Sequence, residues 1–158
     1  MDPKVKRIAS LSKTISLLRR KGKTVVFTNG CFDIIHAGHV SYLKKAKALG
    51  DILVVGLNSD SSVRKIKGGS RPINREKDRA SVLSSFSFVD YIVIFNEDTP
   101  EKLIKIIRPD VLVKGGDWKV KDMVGNEYVV SYGGRIARIP LVKGFSTTSL
   151  IEKIARYG

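Results

Sequence analysis

The sequence predicts an α/β fold: an open, five-stranded parallel sheet with helices on both faces. Three observations carry it. Five short, almost wholly apolar runs rich in β-branched residues recur along the chain, as strands buried on both faces require. Segments with helical period lie between them. The 158 residues, 42% apolar and 28% charged, are enough for one hydrophobic core and show no linker, repeat or low-complexity tract. One domain over residues 1–158 is expected, with 1–22 as an N-terminal helical extension.

In chain order, a helix over 5–20 is expected before the first strand, 24–28 (TVVFT). Val40, Leu43, Ala46 and Leu49 then recur at about every third residue, and Gly50 follows as a stop signal. The second strand is 51–57 (DILVVGL), followed by a helix over 75–86 and a third strand, 91–95 (YIVIF). The next helix, 100–107, is announced by Thr99-Pro100-Glu101, a capping hydroxyl ahead of a proline in the first turn. Strands at 111–113 (VLV) and 136–139 (IARI) and a last helix over 146–157 complete the series. In such a sheet ligands sit beyond the carboxyl ends of the strands, where the strand order reverses.

Charge is the unusual bulk property. Lys and Arg number 29 against 15 Asp and Glu, a net charge of +14. That field attracts polyanions of any kind, yet the cations are dispersed rather than gathered in one tail or stripe. A basic surface around a small phosphorylated substrate accounts for it, and neither nucleic acid nor membrane is expected as a partner. A single cysteine cannot make an internal disulfide. No stretch reaches the roughly 18 apolar residues of a membrane span, and residues 1–13 hold no apolar run suited to a signal peptide. A cytoplasmic protein is therefore expected.

The chemistry concentrates where the first strand runs into a helix, at 28–39 (TNGCFDIIHAGH). Neither GxGxxG nor GxxxxGK[ST] is present there, which removes the dinucleotide fingerprint and the P-loop. What remains is a glycine-bearing loop ending in His36 and His39, three residues apart at a helix start. Both imidazoles then share one side of the first turn, beside free N–H groups and the positive dipole end. Such histidines can donate hydrogen bonds to a phosphate whose charge grows in a transition state. Zinc ligation with Asp33 or simple capping are the alternatives. Zinc wants further ligands, and the chain has no other histidine and no cysteine cluster.

Residues 32–39 resemble the HxGH signature of the nucleotidyltransferase superfamily, which includes the cytidylyltransferases and phosphopantetheine adenylyltransferase. Gly144-Phe145-Ser146-Thr147-Thr148 is similar to that family's C-terminal Ser-Thr-Thr element, and a plain N-cap would need only one of its hydroxyls. The stretches 28–39, 58–62, 67–74, 97–100, 113–118 and 146–148 further resemble the adenylyltransferase domain of ADP-heptose synthases. In many bacteria that domain is fused behind a ribokinase-like sugar kinase, for which this chain has no room. The resemblance thus implies a Rossmann-like HxGH fold and a stand-alone adenylyltransferase served by a separate sugar kinase upstream. A homodimer stays open.

The implied reaction joins ATP and a heptose 1-phosphate into ADP-heptose and pyrophosphate, on the route to lipopolysaccharide core. The sugar phosphate oxygen attacks the α-phosphorus in line, so positioning and charge neutralisation matter more than an acid or base. By resemblance, His36, His39 and Lys67 act in catalysis, with Lys67 in the loop after the second strand. Asn29, Gly30, Cys31, Phe32, Asp33, Gly38, Arg79, Gly116, Asp117, Ser146, Thr147 and Thr148 bind nucleotide, and Lys114 and Trp118 bind substrate. Mg²⁺ accompanies ATP, with no protein metal ligand expected. The bland readings are solvent-facing cations for Lys67 and Arg79, and a solvated face for Lys44 and Lys45. For residues 114–118 the bland reading is a β-turn. Asp33 orients a histidine, holds Mg²⁺ through water, or caps the turn as an Asx residue. Cys31 invites a nucleophile reading, but the reaction needs none and packing serves it better. The glycerol-phosphate cytidylyltransferase branch often carries an arginine just before the glycine that precedes Ser-Thr-Thr; here only Lys143 is available. CTP with glycerol 3-phosphate is the rival substrate pair. A nucleic-acid-binding module on an inactive scaffold is the distant one.

Overall fold

The computed structural model describes residues 2–116 and 119–158. The elements follow one another as α1 (Ile8–Arg20), β1 (Val25–Gly30), α2 (Ala37–Lys47), β2 (Ile52–Asn58), α3 (Asp60–Lys67) and α4 (Glu76–Ser84). Then come β3 (Tyr91–Phe95), α5 (Glu101–Ile107), β4 (Val111–Gly115), α6 (Asn126–Ser131), β5 (Arg135–Ile139) and α7 (Thr147–Tyr157). The five strands form one parallel sheet in the order β3-β2-β1-β4-β5. The order reverses at β1, so the crevice beyond the ends of β1 and β4 is where a ligand site is expected.

Alternation along the strands builds two cores. Val26, Leu53, Val55 and Val113 pack with Leu43 and Ala46 of α2 and Ala80 and Leu83 of α4. Val25, Phe27, Val54 and Leu112 face the other way, onto Leu11 and Ile15 of α1, Ile104 and Ile107 of α5 and Val129 of α6. This two-sided burial is why the strands read as continuous apolar runs. Each fully buried Val, Leu, Ile or Phe among them contributes about 1.5–3 kcal/mol by leaving water.

The structure departs from the expected elements in four places. Helix α1 begins at Ile8, because residues 4–6 run beside β3. The Lys6 amide donates to the Ile92 carbonyl and the Ile92 amide to that of Lys4, each at 2.9 Å, and Val5 bridges Ile92. This strap covers the sheet edge at β3. Two helices were not foreseen: α3, whose N-cap Ser59 accepts the Ser62 amide, and α6, which follows the positive-φ Gly125. Helix α5 begins at Glu101 with Pro100 at the N-cap and no side-chain cap, so Thr99 does not cap it. β1 and β4 extend beyond the apolar runs to Gly30 and Gly115, which puts Asn29, Gly30 and Lys114 on strand ends. No helix among the described residues is long and apolar enough to cross a membrane.

Candidate active site

Two helix N-termini meet beyond the end of β1. His36 is the N-cap of α2: its Nδ1 accepts the His39 amide at 3.4 Å, while His39 Nδ1 accepts the His36 amide at 3.3 Å. With Nδ1 an acceptor in both rings, the neutral tautomers carry their protons on Nε2, leaving each ring one outward donor. The rings stack with centroids 3.7 Å apart. Ser146 caps α7, accepting the Ser149 amide at 3.0 Å, while Thr147 Oγ1 donates to the Ile34 carbonyl at 3.2 Å. Phe145 lies parallel to His36 at 6.0 Å. A Cβ on Gly38 would stand 2.9 Å from the His36 ring and 3.0 Å from the Phe145 Cβ, so glycine is what lets the two motifs close together. Thr148, the third hydroxyl, is exposed, with no partner among the described residues. Two positive dipole ends and the two imidazole rings thus meet beyond the end of β1, a setting suited to an anion.

The histidines are uncharged in this setting. Burial holds His36 below its ordinary value; burial and then the neighbouring His36 push His39 down from 6.5 to about 4. The unfolded chain takes up a proton on His39 as pH falls through 6.5, whereas the folded protein resists until about 4. Stability gained from this group is therefore complete above 6.5 and lost progressively between 6.5 and about 4. Melting temperatures recorded across that window should fall with pH, and a His39→Gln variant should lose much of that slope. An unchanged slope would show that other groups set it.

A second cluster lies at the ends of β1 and β4. Lys114 Nζ donates to Asn29 Oδ1 at 2.6 Å, and burial lowers the ammonium from 10.5 to about 8, leaving it mostly protonated at neutral pH. Gly116 turns away at φ 89°, with its amide on the Ile139 carbonyl. Asp117 and Trp118 lie outside the described residues.

Five other expected residues surround these two clusters. Asp33 is buried, and its carboxylate is taken by Arg71 Nε at 2.8 Å and by the amides of Ile73 and Asn74. Burial pushes its pKa up, but those two amides and Arg71 more than offset this and hold it below the ordinary range. It therefore neither orients a histidine nor faces a metal; it ties the 68–75 loop to the histidine loop. Arg79 is buried too. Its guanidinium donates to the carbonyls of Cys31, Asn58 and Asn74 and to Asp60 Oδ1, so it braces the site from behind rather than touching nucleotide. Phe32 adopts φ 46° and is 6% exposed, its ring 5.4 Å from that of His39 and in the space a Gly30 Cβ would need. The Cys31 thiol is pushed up by burial despite nearby cations, which removes a thiolate nucleophile. Lys67 is the exposed last residue of α3 rather than a loop residue. Its charge nevertheless opposes the effect of burial on the Cys31 thiol, as do those of Arg79 and Arg71.

Sequence reasoning passed over Arg71, Asn74 and Asp60, which join the histidine loop to the segments after β2. The only signal for them is their lying within the matched stretches 58–62 and 67–74.

Residues 27–153 match the cytidylyltransferase-like family. The chain is 56% identical to the bifunctional protein HldE of Syntrophotalea carbinolica over 153 residues, 97% of this chain and 31% of that protein. With the HldE of Geobacter metallireducens the identity is 52% over 158 residues, 99% of this chain and 32% of that one. The chain spans about a third of the length of these curated relatives. Among solved structures it is similar to the lipopolysaccharide core biosynthesis protein of Thermoplasma volcanium. The TM-score is 0.64 and the identity 31%, with 78% of this chain and all of that one covered.

Proposed function

Since the chain belongs to the cytidylyltransferase-like family, we propose that it transfers the AMP moiety of ATP to a heptose 1-phosphate, releasing pyrophosphate and ADP-heptose. The observation that carries this reading is the meeting of the α2 and α7 N-termini, with His36 and His39 on one side and Ser146, Thr147 and Thr148 on the other. A triphosphate lying between them meets donors at both ends. The acceptor's phosphate oxygen forms the new bond to the α-phosphorus as the bond to the β-phosphate oxygen breaks, and the electron pair leaves with pyrophosphate. The attacking group is already anionic, so no general base is required. The imidazole N–H groups and helix termini act by stabilising negative charge as it develops.

The acceptor and the base are supported by the 52–56% identity to the HldE proteins and by the likeness to a protein named for lipopolysaccharide core biosynthesis. Mg²⁺ arrives in this reading with the phosphates of ATP. Among the described residues no three His, Cys, Asp or Glu are grouped to hold a metal. The test is pyrophosphate release in the presence of Mg²⁺ from ATP, CTP, GTP or UTP, with heptose 1-phosphate or glycerol 3-phosphate as acceptor. Turnover confined to ATP with heptose 1-phosphate is expected. Turnover with CTP and glycerol 3-phosphate would keep the mechanism and replace the substrates, and silence in every combination would sink the enzyme reading.

A further inference from the structure

We propose that Arg71 binds the phosphate of the acceptor sugar, a role that rests on the nucleotidyl-transfer reading of the same site. Arg71 and Arg79 are both largely buried arginines beside the histidine loop, but they are used differently. Arg79 spends Nε, Nη1 and Nη2 on protein acceptors. Arg71 spends Nε alone, on Asp33 Oδ2 at 2.8 Å, and among the described residues its two Nη nitrogens have no partner. Its side chain is 14% exposed and that of Asp33 is wholly buried, so the guanidinium is anchored from behind with its fork left for a ligand.

The anchor is stiff. Asp33 also takes the amides of Ile73 and Asn74, and Asn74 Nδ2 donates back to the Asp33 carbonyl at 2.7 Å. The loop carrying Arg71 is thereby locked to the loop carrying the histidines. A guanidinium held in this way loses little freedom on pairing with a phosphate, and its planar fork matches two phosphate oxygens at once.

Charge assigns the ligand. Lys67 closes α3 just ahead of the loop that carries Arg71, Arg71 is tied to the histidine loop through Asp33, and neither has an acidic partner other than Asp33 among the described residues. The reaction brings two anions together. The paired helix termini serve the triphosphate; the attacking monoester needs cations of its own, and Arg71 with Lys67 supplies them.

The test needs no variant. Phenylglyoxal modification of the wild-type protein, followed at Arg71 by mass spectrometry, is compared with no ligand, with heptose 1-phosphate and with Mg²⁺-ATP. Slowing by roughly tenfold with heptose 1-phosphate and none with Mg²⁺-ATP is expected, in line with a charge-assisted bidentate contact. Any other pattern overturns the assignment. Arg71→Lys, which keeps a cation against Asp33 but loses the fork, should raise the KM for heptose 1-phosphate about tenfold and leave the KM for ATP unchanged. A KM for ATP that moved equally would place the residue on the triphosphate instead. Should wild-type protein release no pyrophosphate with any substrate pair, the transfer reading fails by itself, and the protection pattern still reports whether Arg71 holds a phosphate monoester.

Discussion

Replacing His39 by alanine is expected to lower pyrophosphate release by about 10²- to 10³-fold, the usual cost of removing one preorganised donor from a charge-stabilising site. His39 is half-buried, stacked on His36 at 3.7 Å, and presents Nε2–H at the start of α2. The substitution also removes the acceptor of the His36 amide, one half of a reciprocal cap, at about 1 kcal/mol. Activity should therefore collapse while the melting temperature moves by only a few degrees. Pyrophosphate release at saturating ATP together with a thermal melt separates the two effects. A loss of less than about threefold would take His39 out of the transition state. The free protein holds both rings neutral, and a bound polyphosphate favours their protonated forms, so nucleotide binding should draw protons from solution near neutral pH.

Replacing Arg79 by methionine is expected to be the most damaging single change to stability. It keeps much of the volume but takes the Arg79 donor from the carbonyls of Cys31, Asn58 and Asn74 and leaves the Asp60 carboxylate with only the Glu76 amide. The Arg79 side chain is fully buried and Asp60 is 24% exposed, so water relieves only part of the loss. Removing one partner of a buried pair costs about 3–5 kcal/mol, out of a total of about 5–15 for a domain, which lowers the melting temperature by roughly 10 °C. Urea or thermal unfolding measures it, and a shift of under 3 °C would mean that the loops find other donors. Arg79→Lys should recover only part, because one ammonium cannot reach four acceptors drawn from separate segments.

These two residues also mark how far the sequence could be read. The strands were legible because burial on both faces makes them continuous apolar runs, and the histidine pair because its spacing places two rings on one helical turn. Helix α3 was hidden: of its eight residues only Ser62 and Val63 are buried, too few for a period, although Ser59 stands at its head as a capping residue. Arg79 reads as a phosphate contact and Asp33 stays open between a ligand role and a turn cap for one physical reason. A charged side chain near a motif reads as a ligand contact, and nothing local distinguishes it from one folded inward. The difference lies in acceptors some 20 to 50 positions away, such as Cys31 and Asn58 for Arg79, which only the tertiary fold assembles. The joining of the two helix termini was suggested by motif resemblance alone, and the small side of Gly38 against Phe145 became visible only in three dimensions.

The two halves of the crevice differ in how firmly the molecule holds them. β1 is bonded on both sides, to β2 and to β4, and Val25, Val26, Phe27 and Thr28 are fully buried. Its amide protons can exchange with solvent only when the whole sheet opens. Helix α7 contributes no buried residue and leaves Ile154 and Tyr157 largely in water, so its amides belong to the first cooperative unit to detach. The histidine half is thus preformed, whereas the Ser-Thr-Thr half is held weakly and is secured by whatever bridges the two helix termini. A bound triphosphate would protect the α7 amides by mass action, and loss of pyrophosphate would return the helix to its frayed ensemble.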